Sequence, residues 1–68
     1  MKDRRYILTN GGYYLCNIVK ENNKLKGYYI DKDFRKLYDD FEVAEEDRKL
    51  IYIETGLNLE VKVFKKEE

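Results

Sequence analysis

Five residue types are missing from this chain altogether: His, Ser, Pro, Trp and Gln. Cysteine occurs once, as Cys16. Without His or Ser there is no Ser-His-Asp arrangement and no imidazole base. The hydroxyls of Thr9 and Thr55 then have nothing to activate them. A lone cysteine closes no intramolecular disulfide and completes no Cys/His zinc site. Leu15, Asn17 and Ile18 beside it supply neither a base nor positive charge, so Cys16 reads as a buried core thiol, not a nucleophile. Small secreted domains are usually stapled by several disulfides, and this chain points instead to the cytoplasm. No apolar run approaches the roughly 18 residues of a membrane helix. Lys2-Asp3-Arg4-Arg5 follows Met1 where a leader would turn apolar. No membrane partner, metal or cofactor is expected.

What remains is a charged, tyrosine-rich chain of 68 residues. That length suits one small domain spanning 1–68, ending in the charged tail 65–68. A domain of this size buries only about 60% of its unfolded surface, so its stability is marginal. Hydrophobic residues make up 43%, too many for a disordered chain. Tyrosine, with 7 copies against 3 of Phe, must supply much of the interior. The abundance of Lys, Asn, Ile, Tyr and Phe fits AT-rich codons, as in a phage or mobile element.

The pattern along the chain predicts strands at Arg5 to Thr9 and Tyr13 to Lys20, joined through Asn10-Gly11-Gly12, a strong hairpin signal. Both faces of the second strand are largely apolar, as in a strand covered on two sides. A polar turn at Glu21 to Lys24 leads to a third strand, Leu25 to Ile30, where Gly27 predicts a bulge or bend. Phe34, Leu37, Tyr38 and Phe41 then recur at helical spacing, which predicts a short helix buried against the sheet, capped by Asp31 or Asp33. Residues 43–49 fit helix or loop. Leu50 to Glu54 reads as a strand. A last strand alternates, with Leu57, Leu59, Val61 and Val63 inward and Phe64 interrupting the polar face. The expected fold is α+β: a small antiparallel five-stranded curved sheet or partly open barrel, in β-β-β-α-β-β order, with one short helix.

Net charge is zero, from 14 basic and 14 acidic residues, but the distribution is uneven. Asp39, Asp40, Glu42, Glu45, Glu46 and Asp47 form an acidic run uninterrupted by any base. Such a run can be a solvated surface, a divalent-cation site, or a face that fills a basic groove in place of nucleic-acid phosphate. An EF-hand is excluded, because Asp31-Lys32-Asp33-Phe34-Arg35 has Arg where the third ligand belongs. Catalysis by paired carboxylates needs a deep pocket that so short a chain has little scaffold to build. The expected function is that of a small non-enzymatic protein-interaction module, an accessory or inhibitory protein. It would dock these six acids into a basic, nucleic-acid-binding surface of a partner protein. The alternative is a small barrel that binds single-stranded DNA or RNA through Tyr13, Tyr28, Lys24 and Lys26, since aromatics interleaved with cations hold single strands. A pI near 6.3 lacks the basic footprint of such binders. Homo-oligomers paired through the last strand fit either reading.

Overall fold

Two adjacent asparagines make a two-residue hairpin turn. Asn22 and Asn23 hold φ at 55° and 63°, the left-handed pair that a two-residue hairpin loop needs and that Asn tolerates. Around this turn the computed structural model, which describes residues 4–64, places four strands and one helix. They are β1 (Arg5–Thr9), β2 (Tyr14–Glu21), β3 (Lys24–Asp31), α1 (Phe41–Thr55) and β4 (Glu60–Phe64). The strands form one antiparallel sheet in the order β3-β2-β1-β4. The α+β class holds. The fifth strand and the barrel do not: the sheet is open, with β3 and β4 as its edges.

The Asn10-Gly11 signal is real but builds a longer loop than a two-residue turn. Only Gly11 takes positive φ, at 98°. The Asn10 side chain accepts from the N–H groups of Gly12 and Tyr13, closing the loop locally. The β2–β3 register skips Cys16 on one strand and Lys26 on the other, so a bulge lies next to Gly27. The first skip reverses the alternation of β2. Leu15 and Ile18 thereby share the face under α1, while Asn17 and Val19 stay exposed on the other. Cys16 is half-buried at this bulge and not a core thiol. Nor is β2 covered on both sides.

Residues 34–40, expected as helix, form an irregular segment with one bridge to the sheet at Tyr38, and the helix begins only at Phe41. Asp31 does behave like a cap, accepting from the N–H groups of Asp33 and Phe34 at 2.7 and 2.8 Å. The following backbone is then claimed by the sheet. Lys36 N–H donates to Leu15 O, and Tyr38 exchanges two backbone hydrogen bonds with Tyr6, at 2.8 and 2.9 Å. This segment fills a split in the sheet, because β1 registers with β2 only at Thr9 and Tyr14. Of the four aromatic and aliphatic residues expected to be buried, only Tyr38 is; Phe34 stands in solvent.

α1 has clear ends. The Asp40 side chain accepts from Glu42 N–H at 2.9 Å, and Gly56 closes the helix in the left-handed conformation, donating to Tyr52 O. Residues 43–49 are therefore helix, and so is the stretch from Leu50 to Glu54 that resembles a strand. The helix lays Ala44, Asp47 and Ile51 on the sheet. Leu8, Leu15, Tyr38 and Leu59 complete the core, with Tyr6, Ile18, Leu25, Tyr28, Leu57 and Val61 packed around it. Full burial of a side chain such as Leu8 or Ile51 contributes about 1.5–3 kcal/mol, so a handful of them carries most of the stability.

On the other face of the sheet, Arg35 lies over the rings of Tyr14 and Phe64, at 4.4 and 5.3 Å from their centroids. Its guanidinium ties β2 to β4 across β1, and this explains why Phe64 interrupts the polar side of its strand. The tail 65–68 lies outside the described residues. Among the described residues, no helix is long and apolar enough to cross a membrane.

Candidate docking surface

Six acids close together in sequence meet four different fates, because a helix distributes neighbours around its axis. Asp39 precedes α1 and forms an exposed ion pair with Arg5 at 3.3 Å. Asp40 is committed to capping. Glu45 receives two hydrogen bonds from Arg48, at 2.8 and 3.1 Å. Those bonds hold its carboxyl below the ordinary range.

Asp47 leaves the surface entirely. It is 2% exposed. One oxygen accepts from Lys20 Nζ at 2.7 Å and the other from the Tyr38 hydroxyl at 2.6 Å. Burial, together with this carboxylate acceptor, pushes the Tyr38 phenol far above its ordinary value. The trio joins β2, the split-filling segment and α1 at a single point. A buried carboxylate is costly unless both oxygens are satisfied, and here both are. Asp47 therefore cannot meet a partner without unfolding part of the domain.

Glu42 and Glu46 alone of the six have no side-chain hydrogen bond or ion pair among the described residues. Both are exposed, and with Lys49 and Ile53 they form one stripe at i, i+4, i+7 and i+11 along the outward side of α1. Ile53 is 75% exposed. Phe41, Val43 and Tyr52 add exposed apolar surface on the flanks of the helix. The sequence conceals this stripe, because its acids belong to one run and Ile53 lies in a stretch with strand-like composition. Its spacing becomes visible once Asp40 and Gly56 are recognised as caps.

Beside the helix an open cleft of about 400 Å³ lies between Ile18 and Lys20 of β2 and Leu37, Tyr38 and Val43. Lys20 is partly reachable from it, but its ammonium is held by Asp47. Among the described residues no group of three or more His, Cys, Asp or Glu side chains is arranged to hold a metal ion.

The residues expected to grip single-stranded nucleic acid do not converge. Tyr28 packs on the core under α1, and Tyr29, 60% exposed, takes the outward position beside it. Lys26 pairs with Glu21 at 3.1 Å. Tyr13 sits in the loop before β2, beyond the Asp31 end of β3, while Lys24 starts β3 at its other end. At ~3.3 Å per residue, that separation is roughly 20 Å or more. No family model matches this chain, and neither a curated protein nor a solved structure matches it.

Proposed function

We propose that this protein is a non-enzymatic interaction module that docks the outward stripe of α1 against a partner protein, as an accessory or inhibitory subunit. The observation that carries the reading is Ile53, a large aliphatic side chain left 75% exposed on a well-capped helix. Nothing within the fold requires an isoleucine there. Flanked by Glu42, Glu46 and Lys49, it resembles an interface anchor in a charged rim. The complementary surface would offer an apolar pocket for Ile53 and basic groups for the two free carboxylates, a helix-in-groove mode of recognition. Basic clefts of nucleic-acid-handling proteins belong to that class. With Lys49 in the same stripe, two carboxylates and not a continuous acidic row carry the attraction.

Site-specific photo-crosslinking in cells tests this. A benzophenone side chain at Ile53 should give a discrete adduct, and Glu42→Lys with Glu46→Lys should remove it. The same probe at Asn23, on the hairpin tip, should give none. Equal adducts at both positions, or none at Ile53, would reject the reading. Labelled single-stranded DNA and RNA should not bind; polarisation that falls steeply with salt would move attention to the sheet.

A further inference from the structure

We infer that the free edge of β3 pairs with β3 of a second copy, giving an antiparallel eight-stranded sheet across a two-fold axis at Tyr28. β3 is eight residues long and stands at the end of the sheet. An edge strand turns unpaired N–H and C=O groups outward and is a template for another strand. What distinguishes this edge is that it complements itself. With Lys26 bulged out of register, as it is opposite β2, the remaining seven positions alternate regularly between the two faces. Leu25, Tyr28 and Ile30 lie on the helix side; Lys24, Gly27, Tyr29 and Asp31 lie on the other.

A two-fold axis at Tyr28 keeps each face with its like and fixes every pair. Lys24 meets Asp31 of the second copy, twice, joining opposite charges at both ends. Leu25 meets Ile30, apolar against apolar; Ile30 is 42% exposed in the single chain. Gly27 meets Tyr29. A Cβ built on Gly27 finds nothing within 4 Å, so the ring of Tyr29 has open ground to cover, a known way of stabilising a strand glycine. Tyr28 meets Tyr28. Cross-strand pairs of these kinds are what stabilise a sheet.

The usual guards of an edge are weak here. Lys26 is drawn back to Glu21 across its own hairpin. Lys24 forms no ion pair among the described residues, and Asp31 uses Oδ2 within its own loop, leaving Oδ1 available. The opposite edge suits self-pairing less well. β4 has five residues, and its full antiparallel overlap would set Lys62 against Lys62. Phe64, at the end of that strand, is engaged with Arg35. The inferred interface leaves the stripe on α1 free, so it stands or falls separately from the proposed docking.

Sedimentation equilibrium on the full chain tests it, from about 10 µM to about 1 mM, a range in which a small edge interface would dissociate. The expected result is a reversible monomer–dimer equilibrium that weakens with salt. Lys24→Glu should raise the dissociation constant roughly tenfold, because two attractive pairs become repulsive. Ile30→Asp should abolish the dimer. Circular dichroism of each variant shows whether the monomer remains folded, and Lys24→Glu changes an exposed side chain with no internal partner. A strict monomer at every concentration, or a dimer indifferent to Lys24→Glu, would overturn the inference.

Discussion

The two sides of α1 put near-identical chemistry to opposite uses. Ile51 is fully buried against the sheet, and Ile53, two residues on, stands in solvent. Asp47 is sealed between Lys20 and Tyr38, while Glu46 beside it is exposed and unpaired among the described residues. Residue type therefore says little about role on this helix; angular position says nearly everything. The inward side also holds a charge where an amphipathic helix would hold an aliphatic side chain. A buried polar trio of this kind fixes one arrangement of three elements, because any slip leaves the carboxylate unsatisfied.

Truncating each isoleucine breaks the comparison most strongly. Ile51→Ala should cost about 2–5 kcal/mol. A core this small rarely supplies more than about 3–5 kcal/mol, so urea titration should find the variant largely unfolded. Ile53→Ala should change stability by about 0.5 kcal/mol or less. Equal losses would mean that the helix is rotated about its axis.

A smaller effect isolates the trio. Tyr38→Phe removes the hydroxyl and leaves one oxygen of a buried carboxylate without a donor. The expected loss is about 1–3 kcal/mol by chemical denaturation. A neutral result would show that water replaces the hydroxyl.

The smallest effect is a pH slope. Folding raises the pKa of Tyr38 above the 10.0 of a free phenol. Its contribution is therefore complete below pH 10 and is lost as the pH rises above that value, where the unfolded chain ionises and the folded one does not. The denaturation midpoint should fall in that window, and Tyr38→Phe should flatten part of the fall. At the acid end, Asp31 is held below its ordinary value, chiefly by the Phe34 and then the Asp33 backbone N–H groups. Its contribution is present above that ordinary value and fades as the pH falls through the lowered one.

Much of this fold is legible locally. The strands around Asn22-Asn23 and the bulge beside Gly27 follow from turn chemistry and from period-two patterning, but the last strand only in part: it begins at Glu60, after Leu57 and Leu59, and Val63, expected inward, is 48% exposed near its end. The helix lies at Phe41–Thr55 and not where the local spacing predicts it, for a physical reason. Phe34, Leu37, Tyr38 and Phe41 have helical spacing, and Asp31 even forms a cap. But a helix needs its own N–H groups, and those of Lys36 and Tyr38 go to Leu15 and Tyr6. Such long-range claims leave no mark on a local window. Conversely, Asp47 sits in the middle of the buried stripe of α1 and erases the apolar period that would have announced it. The acidic run was visible as composition, but its division into cap, ion pairs, buried clamp and free stripe depends on the tertiary contacts of Lys20, Tyr38, Arg5 and Arg48.

The most direct test of this division compares two neighbours. Asp47→Ala and Glu46→Ala would be measured side by side by urea denaturation. Asp47→Ala should cost about 1–3 kcal/mol, since it strands the Tyr38 hydroxyl while half-exposed Lys20 recovers water. Glu46→Ala should stay within about 0.5 kcal/mol of the parent. Equal changes in the two variants, or a larger loss from Glu46→Ala, would contradict the assignment of Asp47 to the core and of Glu46 to the surface that meets a partner.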